Sequence, residues 1–170
     1  MATEIRKAAS LSEELKKVFF GGGDNVVGPQ GVNLRFQGGD LHLVAYEGGK
    51  PVGHLGILKH SVSAGGKRVC VGGLGNLVTV EGGRMRGHAR ALLEHAQRVL
   101  CDEMGVCFGM LFCPPKLVGF CERAGWRVLD EKVFVDQPQG KAAMPLVTMI
   151  WPCRRQDWPP GDVDVGRLPW

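Results

Sequence analysis

The chain has 170 residues, 44% of them hydrophobic and 22% charged, with a formal net charge of +4. That length suits one compact domain (residues 1–170) with a single sizeable core, and the composition is ordinary for a soluble globular protein. No apolar run reaches the ~18–20 residues that span a bilayer, and the mild positive surplus, spread rather than clustered, suits an anionic ligand without calling for nucleic acid.

In chain order, Met1–Lys7 shows neither a secretory apolar stretch nor a cleavage pattern, so a cytoplasmic protein is expected. Ser10-Leu-Ser-Glu13 reads as a capping box, with Ser10 as N-cap of a short helix over about Ser12–Phe20. Gly21-Gly22-Gly23-Asp24 stops that helix and opens a loop to about Gly39, long enough to be functional or mobile. Leu41–Glu47 alternates and predicts a strand, Gly48-Gly49-Lys50 a hairpin turn, and Val52–Ser61 the return strand. Arg68–Val80 is a third strand. Its Gly72-Gly73-Leu74-Gly75-Asn76 stretch points to a bulge or a close backbone approach.

The period then changes. Ala89, Leu92, Leu93, Ala96, Val99 and Leu100 recur at helical spacing, predicting a helix over about Arg86–Met104 that Gly105 ends. Val106–Phe112 is a short apolar strand, so a strand–helix–strand unit with parallel pairing and a right-handed crossover is expected. Pro114-Pro115 starts a further helix ending at Ala124-Gly125. Trp126–Leu129 and Met144–Trp151 read as the last strands, and residues 152–170 as an irregular tail. The fold class is α/β: a mixed, mostly antiparallel sheet flanked by helices.

Six cysteines occur without a C-x-x-C pair or a zinc-type histidine spacing, so no metal is expected and reduced, buried thiols are the default. Between Val78 and Leu93 a strand ends, a loop carrying Arg84, Arg86 and Gly87 follows, and a long helix begins. Such a junction aims unpaired N–H groups and the positive helix end at one point, where a pyrophosphate fits. Solvated arginines on a plain loop are the alternative. Neither a Walker A loop nor a Gly-x-Gly-x-x-Gly fingerprint is present.

Arg84-x-x-Gly87-x-Ala89 resembles the acyl-CoA motif of the GNAT N-acetyltransferases, Gln/Arg-x-x-Gly-x-Gly/Ala. Phe120-Cys121-Glu122-Arg123-Ala124-Gly125-Trp126 resembles that family's Phe-Tyr-x-x-x-Gly-Phe, in the same order and at about the same spacing. The resemblance implies acetyl-CoA as co-substrate. Main-chain groups of Val78, Thr79 and Val80 would hold its pantetheine arm, and Arg84, Met85, Arg86, Gly87, His88 and Ala89, with Arg90 behind them, its pyrophosphate. Three further stretches are similar to the aminoglycoside 2'-N-acetyltransferases and the rhizobial nodulation N-acyltransferases. These are Gly38–Tyr46 with Val52–Gly56, Phe20–Asp24, and Asp157-Trp158-Pro-Pro-Gly161-Asp162-Val163. They imply an amino-sugar or aminoglycoside acceptor, with Asp24 and Asp162 pairing ammonium groups and Trp158 stacking on a sugar.

The chemistry needs a neutral amine, attack on a thioester and a protonated leaving thiol. Gly73–Asn76, where the family often places a glutamate base, has no carboxylate. Asn76 is left to position a water and His54 to act as base, with Glu47 and Glu81 as weaker options. Cys121 stands where the family's usual acid, a tyrosine, would be. Main-chain N–H groups at the bulged strand would polarise the thioester carbonyl. The expected partner is a small-molecule amine, with a homodimer left open and neither nucleic acid nor membrane involved. A different small amine, a longer acyl donor, or a non-catalytic acyl-CoA-binding module are the competing readings.

Overall fold

The computed structural model describes residues 3–21 and 32–170. It opens with β1 (Glu4–Ala8), a strand the sequence does not announce, because Glu-Ile-Arg-Lys-Ala lies half-exposed at an edge with little apolar pattern. α1 (Glu13–Phe20) follows. Its N-cap is Ser12 and not Ser10: the Ser12 hydroxyl accepts the Leu15 N–H at 3.2 Å from an extended backbone. Gly21, at φ 73°, ends the helix by returning its N–H to the Lys17 carbonyl.

β2 (Leu41–Glu47), β3 (Lys50–Ala64) and β4 (Lys67–Thr79) form the expected antiparallel meander. β3 is 15 residues long and uses two partners on one edge, β2 along its first half and β10 (Val163–Asp164) at its end. α2 (His88–Arg98) continues into a wider turn over Val99–Glu103, and Gly105 at φ 65° leads to β5 (Phe108–Cys113). β5 lies parallel to β4, from Val71↔Phe108 to Leu74↔Leu111, so the predicted crossover unit is present. α3 (Val118–Arg123), β6 (Arg127–Val128), β7 (Val133–Gln137), β8 (Gly140–Ala143) and β9 (Val147–Pro152) complete the chain before β10. The strand order β6-β9-β5-β4-β3-β10-β7-β8, with β2 and then β1 on β3, is a mixed and mostly antiparallel sheet, the architecture expected from the sequence.

Side chains alternate across that sheet. One face packs Leu43, Leu55, Ile57 and Leu74 against Leu92, Leu93, Ala96 and Leu100 of α2 and Trp126 after α3. Burying each of those leucines is worth about 1.5–3 kcal/mol. The other face carries Leu58, Val62, Val71 and Met110 under the C-terminal segment, with Phe19 of α1 on Val44. The glycine stretch of β4 is where both layers come closest. A Cβ at Gly72 would sit 2.1 Å from Leu100, and one at Gly73 2.3 Å from the Trp170 indole.

The C-terminal segment is therefore not an irregular appendage. Val163 and Val165 are fully buried, Trp158 and Trp170 nearly so, and β10 inserts between β3 and β7. The cysteines depart from expectation too. Cys101 and Cys153 form a disulfide that ties the turn after α2 to the end of β9, while Cys70, Cys107, Cys113 and Cys121 are free thiols. A glutathione-buffered cytoplasm works against such a bond. Among the described residues no helix is long and apolar enough to cross a membrane.

Candidate functional site

The pairing of β4 with β5 ends at Leu74↔Leu111, yet β4 runs on to Thr79 and β5 to Cys113. The two strands part there and leave the edge of β4 unpaired on that side. β4 also bulges at this point: His54↔Val78 and Gly56↔Gly75 leave one extra residue in β4, with Asn76 at φ 54°. Of the three residues expected to hold a pantetheine arm, Val80 donates its N–H to the Val52 carbonyl at 2.9 Å, and Val78, two residues earlier and paired with His54, turns its main chain to β3 as well, so Thr79 alone faces the open edge.

The loop beyond gathers unpaired main-chain donors at the start of a helix. A short turn over Glu81–Gly83 is closed by the Arg84 N–H on the Glu81 carbonyl, Met85 stands fully exposed at φ 65°, and Gly87 caps α2 at φ 82°. The first main-chain bond of the helix is Ala91 N–H to Gly87 O at 3.0 Å. Among the described residues the N–H groups from Met85 to Arg90 have no main-chain partner. A Cβ at Gly87 would meet nothing within 4 Å, so the helix end is open as well as positive. A non-glycine residue held at positive φ, as Met85 is, costs of order 1 kcal/mol and points to a functional loop. These features fit a pyrophosphate, and Thr79, Arg84 and the amides of Arg86–Ala89 are the groups that would hold an acyl-CoA.

The loop's side chains divide. Arg84 is exposed and, among the described residues, has no carboxylate partner. Arg90 pairs with Glu94 one turn on, at 2.9 Å. Arg86 bonds Glu47 at 2.8 Å. The His88 side chain corrects the sequence reading. It is 2% exposed, donates from Nε2 to the other Glu47 oxygen at 2.7 Å and meets Thr3 Oγ1 at 2.9 Å through Nδ1, so only its main-chain N–H faces the loop. Burial works to raise the Glu47 carboxyl, but hydrogen bonds from His88 and Arg86 hold it below its ordinary value. Glu47 thus fastens the loop to β2 and is committed there.

His54 is also placed differently from a free base. It is 1% exposed, with Phe19 and Phe20 rings centred 5.6 and 5.3 Å away. Its Nδ1 donates to the Asn76 carbonyl at 2.8 Å, and its Nε2 lies 2.9 Å from His42 Nδ1. Burial pushes His54 down to about 4, so it is neutral at working pH with both nitrogens engaged. Asn76 contributes its carbonyl to this chain. His42, which the sequence reading passes over as a base, stands at the outer end. Hairpin arithmetic offered a signal for it: around the Gly48-Gly49 turn, His42 and His54 fall within one residue of facing each other.

Cys121 is buried on α3 in the same core cluster as Cys113. A hydrogen bond from Cys113 lowers the Cys121 thiol against the effect of burial. Trp158 is 7% exposed and meets Phe108 edge-to-face at 5.1 Å, so it is a core residue and no platform for a sugar. Asp162 is exposed, and its carbonyl accepts the Gly65 N–H in the β3–β4 hairpin. That hairpin lies ten β4 residues from Asn76, roughly 30 Å along the strand. Neither residue reaches the parting of β4 and β5. Asp24 lies outside the described residues.

A family profile describing an acetyltransferase (GNAT) domain matches residues 31–129, more than half of the chain. The chain belongs to the GNAT acetyltransferase family. It is an acyltransferase by that membership, and the match spans the meander, the phosphate loop, α2 and the Phe120–Trp126 motif. Solved structures share the fold at low identity. A GNAT acetyltransferase from Brucella melitensis in complex with acetyl-CoA is 19% identical with a TM-score of 0.59, covering 95% of this chain and 94% of that one. A putative N-acetyltransferase from Lactobacillus plantarum is 20% identical at 0.57, covering 91% and 100%. The GNAT N-acetyltransferase YhbS from Escherichia coli in complex with CoA is 20% identical at 0.56, covering 76% and 68%. No curated protein matches the sequence.

Proposed function

We propose that residues 1–170 act as one acetyltransferase unit that moves the acetyl group of acetyl-CoA onto a primary amine, with an amino sugar or aminoglycoside as acceptor. The observation that carries the donor half is the open N-terminus of α2 at Gly87, set beside the parting of β4 and β5. Acetyl-CoA supplies the activated carbonyl. The chain supplies the anion site, an unpaired strand edge for the pantetheine, and a cleft that brings amine and thioester together. The acceptor half rests on the stretch Gly38–Tyr46 with Val52–Gly56, which resembles the amino-sugar enzymes and forms the β2–β3 pair carrying His42 and His54. Asp24 remains the candidate for an acceptor ammonium.

Incubation with acetyl-CoA and a panel of aminoglycosides, glucosamines and polyamines, read by product mass, tests this. Acetylated amino sugars are expected. Acetylation of polyamines alone would move the acceptor to another small amine. Turnover only with longer acyl donors would change the donor. Tight acetyl-CoA binding with no turnover would leave an acyl-CoA-binding module and sink the proposal.

A further inference from the structure

The buried histidine pair has only one consistent arrangement of protons. The Asn76 carbonyl can only accept, so His54 Nδ1 carries a hydrogen and donates it at 2.8 Å. Neutral His54 then has a lone pair on Nε2. His42 Nδ1, 2.9 Å away, must be the donor to it. That leaves the lone pair of His42 on Nε2. This atom has no hydrogen-bond partner among the described residues, and it is not among their buried, unsatisfied polar atoms, so it opens to solvent.

Building on the acetyltransferase reading above, we propose that His42 Nε2 is the general base that takes the acceptor amine's proton, and that His54 is a positioning residue that fixes the His42 tautomer. The balance is simple. The ammonium gives its proton to His42 Nε2. The neutral amine attacks the acetyl carbonyl, forming the C–N bond. The C–S bond breaks, the departing CoA thiolate takes the proton the new amide sheds, and His42 releases its own to solvent.

Register places His42 for this. His42 pairs with Gly56 of β3, and Gly56 with Gly75 of β4, so the row from His42 to the open edge carries no other side chain. Main-chain atoms of Gly39 pack on Gly56 there, and the main chain and indole of Trp170 pack directly on Gly75, so Gly39 and Trp170 roof this row and the amine must approach His42 past them. Two strand spacings separate His42 from Gly75, roughly 10 Å between Cα atoms. The imidazole covers part of that span, and an amine poised about 3–3.5 Å from the carbonyl carbon covers the rest. The groups facing His42 are His54 of β3, Asp40 just before β2 and Lys16 of α1. Burial and Lys16 lower its pKa while Asp40 raises it, and the balance is downward. His42 is therefore unprotonated at neutral pH, as a base must be.

Two measurements test the pair. Long-range 15N–1H spectra of the histidine rings should show both His42 and His54 as Nδ1–H tautomers; an Nε2–H tautomer at His42 overturns the inference whatever the enzyme acetylates. With an accepted amine, His42→Gln should lower kcat/KM by 10²- to 10⁴-fold and move the acidic limb of its pH profile up to the pKa of the amine itself, with acetyl-CoA affinity unchanged. His54→Leu should lower kcat/KM while keeping the limb. His54→Gln, which can donate to Asn76 and accept from His42, should restore most of the loss. A His42→Gln enzyme that keeps rate and limb refutes the role of His42 alone. A wild-type protein that acetylates no amine refutes the parent reading, while the tautomers still decide the arrangement of the pair.

Discussion

Replacing Gly87 with alanine isolates backbone conformation from packing. Gly87 sits at φ 82°, and an added Cβ meets nothing within 4 Å, so the substitution brings no clash. What it brings is left-handed strain of roughly 1–2 kcal/mol, partly offset by about 0.4–1 kcal/mol from a stiffer unfolded chain. If the loop holds its shape, the net loss of about 1 kcal/mol appears as a Tm lower by about 2–4 °C. If the loop relaxes instead, the amides of Arg86–Ala89 lose alignment, and the same strain appears as an acetyl-CoA Kd weaker by about 5- to 30-fold. Calorimetric titration and thermal melts on one sample read both. Gly87→Asn should cost less on either scale, because asparagine tolerates this region. The reasoning is refuted if Gly87→Ala changes neither quantity, or if Gly87→Asn is as damaging as Gly87→Ala.

Other consequences follow from the same structure. His54 is held near 4 in the folded state against about 6.5 when unfolded, so the fold prefers its neutral form. Its stability is full above pH 6.5 and falls as pH drops towards 4, by up to about 3 kcal/mol. Urea melts across that range should show the slope, and His54→Gln should flatten it. Reducing Cys101–Cys153 frees a 52-residue span, worth about 4 kcal/mol in the loop-entropy account. Melting with and without dithiothreitol should show a drop that Cys101→Ser reproduces without reductant. Trp158→Ala should cost about 3–5 kcal/mol of stability and leave the acceptor KM alone; a raised KM with unchanged stability would return Trp158 to the binding site.

The crossover unit and its phosphate loop were legible because they are written in local signals. Helical periodicity starts at Ala89, a glycine stands before it and an apolar strand follows Gly105. The β7–β8 hairpin was legible in principle, since Val133–Gln137 buries alternate residues before the Gly140 turn. Other features needed tertiary information. β10 is two residues long and exists because β3 outruns β2. Ser10 and Ser12 both stand three residues before a plausible partner, and only the backbone angles choose Ser12. Six cysteines permit many pairings, and spacing does not single out Cys101 with Cys153. Trp158 and Asp162 carried a convincing motif, but the strand that brings them in enters at the far end of β3. The histidine pair lies between these cases: each ring is visible in the sequence, and the shift between Ala45 and Tyr46 sets their contact.

The central claim is that acetyl-CoA seats its pyrophosphate on the start of α2. The most direct measurement is a titration of 15N-labelled protein with acetyl-CoA, following backbone amides. The account predicts the largest saturable shifts at Arg86, Gly87, His88 and Ala89, with a smaller one at Thr79. Saturable binding that leaves those four amides unmoved would contradict it.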